Sequence, residues 1–298
     1  MEFGVCLPNY GERLSVEALL KVSQEAERLG FDSLWTTDHI LMPKNSETPY
    51  ERIFDSITSL AYLAGQTKKV KLGISSLIIA MRNPVEAAKQ LATVDVMSGG
   101  RVTMIAIGAG WFDKEFSFLG SNFHDRGKRV DESMRIIRGL WKGESSFESN
   151  VLPHNYSDVV FQPKPLHDKI SIWIGGSSPA AMKRAANLGD AWHPNAFPLD
   201  KFRDMVSEFR SISPNAKDKP IRVRIGLNPR ATRSEYIGPR GEKRLLLSGN
   251  TSENREVISE LEKLGVDYFV VSTSPDGKVS LQDQLEGLEL LAKEFIST

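Results

Sequence analysis

Three short segments of this 298-residue chain carry side chains that could do chemistry. The first is Asp38-His39, directly after an apolar run at 31–36. Imidazole titrates near neutral pH, so His39 can take up or release a proton during a reaction, with Asp38 beside it to polarise the ring. The same pair also fits a hydrogen-bonded structural role. The second is Gly108-Ala109-Gly110-Trp111, which closes a β-branched run at 102–107 and leads into Phe112, Asp113 and Glu115. Glycines at a strand end let a ligand approach the backbone, and aromatic rings beyond them offer it a flat surface. A tight turn with a core tryptophan would have the same sequence. The third is Gly175-Gly176-Ser177-Ser178-Pro179, where exposed amides and the positive end of a following helix would seat an anion. An ordinary capped turn uses the same residue types.

Other chemistry is disfavoured. The five histidines, His39, His124, His154, His167 and His193, show no metal-ligand spacing, so no metal site is expected. No Gly-x-Ser-x-Gly is present for a serine nucleophile.

The elements that must hold these segments alternate between strand and helix. Apolar runs at 3–7, 31–36, 70–74, 102–107, 170–174, 190–193, 221–227 and 267–272 read as strands. Helices are expected at 16–29 after Ser15, from Asp55 to 66, from Asn83-Pro84 to 97, at 126–141, from Ser178-Pro179 to about 189, and at 199–211, 252–264 and 281–295. Eight β/α units in one α/β domain, 1–298, predict a (β/α)8 TIM barrel with insertions after strands four and seven, at 143–169 and 230–249. The absence of Gly-x-Gly-x-x-Gly after the first strand counts against an open dinucleotide fold. In a barrel the strand C-termini form the functional face. Asp38-His39, Ser75-Ser76 after strand three, 108–111 and 175–178 would all lie there.

Lys+Arg and Asp+Glu are both 38, so no electrostatic pull toward nucleic acid or an anionic membrane is expected. The single cysteine, Cys6, allows neither an intramolecular disulfide nor a thiolate cluster. No signal peptide or membrane-spanning run is recognisable, and a soluble, cytoplasmic protein acting on a small-molecule substrate is expected.

Several segments together resemble the luciferase-like flavin and deazaflavin oxidoreductases. They are Ala26 to Trp35 (AERLGFDSLW), Asp38-His39, Leu72-Gly73 with Arg82-Asn83-Pro84, and Asp95 to Arg101 (DVMSGGR). After them come Gly108-Ala109-Gly110-Trp111 with Glu115, Arg126 with Glu132 and Leu140-Trp141, Ile172-Trp173-Ile174-Gly175-Gly176, and Gly189-Asp190-Ala191-Trp192. The match spans about residues 1–195 in the family's order. The Gly-x-Gly-Trp form with a following glutamate looks most like the coenzyme F420 branch, although FMN-using members share most of these segments.

The resemblance implies a barrel that moves a hydride between bound F420 and a small organic substrate. It implies His39 as proton donor or acceptor and Asp38 lining the ring. It also implies a non-proline cis peptide at Ser75-Ser76 behind the ring, Gly108, Ala109, Gly110 and Trp111 beside it, and Gly175, Gly176, Ser177 and Ser178 on its phosphate. An FMN-dependent monooxygenase using reduced flavin and oxygen, or a non-catalytic flavin-binding barrel, would look similar, and a homodimer is the family expectation. Some deazaflavin dehydrogenases of the family place a glutamate directly after Gly-x-Gly. Here Trp111 occupies that place, so the acid role is not carried over, and Glu115 is read as facing elsewhere.

Overall fold

The computed structural model describes residues 1–167 and 170–296. Its elements run β1 (Glu2–Cys6), α1 (Val16–Arg28), β2 (Ser33–Thr36), α2 (Ser56–Gln66), β3 (Lys71–Ile74), β4 (Leu77–Ile78), α3 (Pro84–Ser98) and β5 (Met104–Gly108). Then follow α4 (Asp113–Phe118), α5 (Arg126–Lys142), β6 (Ser171–Gly175), α6 (Pro179–Asn187), β7 (Ala191–His193) and α7 (Leu199–Ser211). The chain ends with β8 (Ile221–Leu227), β9 (Glu235–Ile237), β10 (Lys243–Leu247), α8 (Thr251–Lys263), β11 (Val266–Ser272) and α9 (Leu281–Phe295).

Local chemistry sets many of the helix starts. The Ser15 hydroxyl accepts the Ala18 amide, Asp55 accepts that of Thr58, Asn83 that of Val85, and Ser178 that of Ala181. Each side chain satisfies an amide that the first turn leaves without a partner. Pro84 and Pro179 occupy first-turn positions where no amide hydrogen is needed.

The strands form a parallel ring in the order β3-β2-β1-β11-β8-β7-β6-β5-β4. A parallel bridge from Leu72 to Val102 joins the free edge of β3 to the segment entering β5. β3 and β4 are two halves of the third barrel strand, separated by Ser75-Ser76, so the ring has the eight expected barrel strands.

The interior is plugged by Trp35 and Trp173, with ring centroids 4.7 Å apart, packed with Cys6, Met104, Ala106, Ala191, Tyr268 and Val270. Gly4 and Gly73 make room for this plug. A Cβ on Gly4 would fall 2.5 Å from the Trp35 indole nitrogen, and one on Gly73 would fall 2.7 Å from the same ring. The helices bury a separate, larger apolar shell around the outside of the ring.

Two expectations need correction. The 230–249 segment, read only as an insertion, contains the antiparallel hairpin β9–β10, and β10 pairs in parallel with the end of β8 through Leu246–Gly226 and Leu247–Leu227. Its Arg- and Gly-rich sequence hid the Leu245-Leu246-Leu247 run that docks on the barrel. A short helix, α4, follows the 108–111 turn and was not expected. The first insertion holds an isolated antiparallel bridge, Phe147–Tyr156, with the two rings stacked 5.7 Å apart. The last two residues of that insertion, 168–169, lie outside the described residues.

Candidate functional site

A cavity of about 380 Å³ opens at the C-terminal mouth of the barrel, and the four strand-end segments Asp38-His39, Ser75-Ser76, 108–111 and 175–178 reach it. Asp38-His39 lies on one side, Ser75-Ser76 on the floor, and the 108–111 and 175–178 turns along the rim. The volume lies in the range of ordinary small-molecule sites.

Asp38 does not polarise His39, which corrects the sequence reading. Its carboxylate is fully buried and committed to other partners. Oδ1 accepts the Ser56 hydroxyl at 2.8 Å and Arg82 Nη2 at 2.5 Å, while Oδ2 accepts the Ile78 amide at 2.9 Å and Arg82 Nε at 3.1 Å. This is a forked ion pair, the geometry in which guanidinium and carboxylate match best. It ties the end of β2 to α2 and to β4, and so fixes the segment that carries Ser75-Ser76.

The partner of His39 is Glu115, which also corrects the sequence reading that Glu115 faces elsewhere. α4 turns the chain back so that Glu115 Oε2 lies 2.7 Å from His39 Nδ1, with both side chains buried. Glu115 Oε1 accepts the amides of Ile40 at 2.6 Å and Leu41 at 3.2 Å. Burial pushes the Glu115 carboxyl up, but its hydrogen bonds to His39 and to those two amides outweigh that, and its pKa is lowered. An ionised acceptor places the proton of the pair on Nδ1. His39 Nε2 has no hydrogen-bond partner among the described residues and belongs to a residue that lines the cavity. The ring stacks on Tyr50 with centroids 4.5 Å apart and meets Trp111 edge-on at 6.0 Å. Trp111 is half-buried at the mouth, so the core-packing reading does not hold.

The floor is built on His193. Its Nδ1 lies 2.6 Å from the Arg222 carbonyl and must donate to it, so Nε2 accepts the Ser75 hydroxyl at 2.8 Å. Burial and the Arg224 and Arg222 charges depress the His193 pKa to about 3, against the hydrogen bond to the Arg222 carbonyl. The ring lies over the barrel plug, 6.0 Å from Trp35 and 5.5 Å from Trp173. The Ser75-Ser76 peptide is cis, as the family resemblance implied. Arg224 Nη1 donates to the Ser75 carbonyl at 2.7 Å.

The neutral imidazole of His193 has a consequence for stability. The unfolded chain binds a proton there below about pH 6.5, which the folded chain refuses until about pH 3. Stability from this group is therefore present above pH 6.5 and lost as pH falls through that window, by up to about 1.4 kcal/mol per pH unit. Urea unfolding at pH 7 and pH 5 is expected to show a steeper fall for the wild type than for His193→Gln. Equal falls would contradict the assignment.

At the opposite rim, Gly176 adopts φ +113° and the Ser178 hydroxyl caps α6. The amides of Ser177 and Ser178 donate to no described residue. Arg126 lines the same cavity without a carboxylate partner among the described residues, its guanidinium 3.7 Å above the Phe123 ring. Free amides at a helix start beside an arginine suit a phosphate. The aromatic wall of Trp111 and Tyr50, facing the Ser75-Ser76 floor, suits a flat ring. The residues present fit a phosphate-bearing flavin or deazaflavin.

Sequence reasoning missed Tyr50, Arg126, Arg224, Arg240 and Arg244 as cavity residues. The alternation of Arg222 and Arg224 with apolar residues in strand seven was the signal available for Arg224, since it places charge on one face of an otherwise apolar strand. Asp95 to Arg101 lies away from the cavity. Asp95 accepts the Val102 and Leu166 amides, and Arg101 binds Ala64 and Thr67 at the end of α2.

The ring of strands and the cleft at their C-terminal ends thus define the class, a (β/α)8 barrel with its cavity at the mouth. A family model for luciferase-like monooxygenases matches residues 1–235, and the chain belongs to that family. It is 30% identical to an FMNH2-dependent dimethylsulfone monooxygenase of Pseudomonas putida over 70% of this chain and 56% of that protein. It is 27% identical to an F420-dependent glucose-6-phosphate dehydrogenase of Amycolatopsis mediterranei over 61% of this chain and 54% of that protein. The chain thus spans a little over half the length of each of these two relatives. Among solved structures, an F420-dependent secondary alcohol dehydrogenase in complex with an F420-acetone adduct superposes with a TM-score of 0.77 at 18% identity, over 99% of this chain and 98% of that one. At that identity the likeness concerns the fold. Of the two sequence relatives, one is FMNH2-dependent and the other F420-dependent.

Proposed function

We propose that this chain transfers a hydride between bound coenzyme F420 and a small organic substrate at the mouth of the barrel. The observation that carries this reading is the buried Glu115–His39 pair, which leaves Nε2 of His39 unpartnered at a cavity suited to a flat ring. When bound, the deazaflavin supplies or accepts the electron pair as hydride. The protein's part is the accompanying proton. His39 Nε2 accepts it from a substrate hydroxyl or amine undergoing oxidation, or gives it to the oxygen or nitrogen being reduced. Glu115 stabilises the imidazolium and holds the ring in one tautomer. Ser177, Ser178 and Arg126 hold the phosphate, and Ser75-Ser76 and Gly108 to Trp111 position the ring.

A second reading, an FMN-dependent monooxygenase, is favoured by the 30% identity to an FMNH2-dependent enzyme. A non-catalytic flavin-binding barrel gives no reason for a carboxylate buried beneath a histidine at the cavity wall.

Two assays separate these readings. Under anaerobic conditions, a panel of small carbonyl and imine compounds is expected to include one that restores the absorbance of oxidised F420 from its reduced form in a protein-dependent way. Protein-dependent incorporation of oxygen into a substrate with externally reduced FMN, and no F420 oxidation, would overturn the F420 assignment in favour of the monooxygenase. Binding of either cofactor with no turnover in either assay would favour the non-catalytic barrel.

A further inference from the structure

Two strands along the ring from the phosphate seat, the cavity carries more positive charge than the protein balances. Arg224 rises from β8, and Arg240 and Arg244 come from the β9–β10 hairpin that folds over the mouth. Glu242 is the acidic partner here. It pairs with Arg244 and lies 3.8 Å from Arg240. The carboxylate of Asp38, which also lines the cavity, is committed to Arg82. Among the described residues Arg224 has no carboxylate partner. It donates to the Ser75 carbonyl at 2.7 Å, the Tyr10 hydroxyl at 3.0 Å and the Ser272 hydroxyl at 3.5 Å, all neutral. A guanidinium has five N–H donors, and these contacts use at most three of them.

A cation withdrawn from water and held only by neutral groups is costly unless an anion completes the site. The Tyr50 hydroxyl has no hydrogen-bond partner among the described residues, and Tyr50 is close enough to feel the charges of both Arg224 and Arg244. Two guanidinium groups and a free phenol around one corner supply forked and single donors suited to an oxyanion. The corner is built by β8 and the hairpin, whereas the phosphate seat is built by the turn between β6 and α6.

We propose that this corner binds an anionic group of the substrate, so that the enzyme acts on small organic acids bearing a carboxylate, sulfonate or phosphate. This rests on the reading of the cavity as the site of an F420- or FMN-using oxidoreductase. The hairpin insertion then sets substrate choice through Arg244 and Arg240, with Arg224 beneath them.

The test uses methanesulfonate and its neutral isostere methanesulfonamide as probes. Each is titrated by tryptophan fluorescence into protein saturated with whichever of F420 or FMN binds, so that the phosphate seat is filled. Methanesulfonate is expected to bind about tenfold or more tightly than methanesulfonamide, and Arg244→Gln to lose about tenfold of that affinity with the cofactor's affinity unchanged. Arg244→Lys, which keeps the charge, is expected to recover part of the loss. Should Arg244→Gln fail to fold, Arg240→Gln on the exposed side of the hairpin is expected to show a smaller loss of the same kind. Equal affinity for the two probes, no binding of methanesulfonate, or a loss confined to cofactor affinity would overturn the proposal. If neither cofactor binds, the proposed function fails, and the same titration on the cofactor-free protein decides this inference alone. Arg244-dependent binding of methanesulfonate would uphold it, and Arg244-independent binding would overturn it.

Discussion

Replacing His39 with alanine is expected to lower turnover by about 10²–10⁴-fold, the usual range for a positioned acid–base group, while cofactor affinity stays nearly the same. The reason is positional. Nδ1 is held 2.7 Å from Glu115, and Nε2 has no hydrogen-bond partner among the described residues. The cofactor's phosphate would rest on backbone amides of another turn, which this substitution does not touch. Glu115 is a positioning residue, because it acts through His39. Glu115→Gln keeps the shape but removes the charge that stabilises the imidazolium, and it gives the Ile40 and Leu41 amides a weaker acceptor. Its expected loss is about 10²-fold in turnover, together with a displaced pH profile that a merely structural role would not produce. Steady-state kinetics across pH, with cofactor titrations of both variants, check this. Full turnover by His39→Ala at saturating substrate would remove His39 from the chemistry.

The second large effect is expected in stability. Asp38→Ala leaves the Arg82 guanidinium without the carboxylate that binds it through two of its nitrogens, and leaves the Ile78 amide and the Ser56 hydroxyl without their acceptor. Breaking one partner out of a buried ion pair costs about 3–5 kcal/mol. The exposed carboxylate of Asp55, 2.7 Å from Arg82, offsets part of this, so a loss of about 3 kcal/mol is expected from the urea midpoint. If Asp38 instead served to polarise His39, the variant would keep its stability and lose turnover.

These two residues also show how far the sequence could be read. The adjacency of Asp38 and His39 made them look like one unit. In an extended segment, however, neighbouring side chains point to opposite sides, and here Asp38 turns toward α2 and Arg82 while His39 faces the cavity. Glu115 was visible as a residue but not as a partner. Its pairing depends on α4, whose short sequence, DKEFSF, carries too few turns to show helical spacing.

The eight-unit barrel was legible because apolar periodicity and caps such as Ser15, Asp55, Asn83 and Ser178 act locally. The strand-end glycines and Ser75-Ser76 were legible as a site because the barrel sends every strand end to one mouth. The arginines of the mouth were not, since long-range geometry alone decides whether Arg244 faces solvent or the cavity. Trp35 and Trp173 were visible within motifs, but their role as a plug beneath His193 requires Gly4 and Gly73 to leave them space from other strands.

The central claim, a luciferase-like oxidoreductase site built for F420, is tested most directly by paired titrations of the cofactor-free protein with F420 and with FMN, followed by fluorescence. The account predicts saturable binding of F420 at micromolar or lower concentration and weaker binding of FMN. Tighter binding of FMN would contradict the F420 assignment, and binding of neither would contradict the cofactor seat formed by the 108–111 and 175–178 turns.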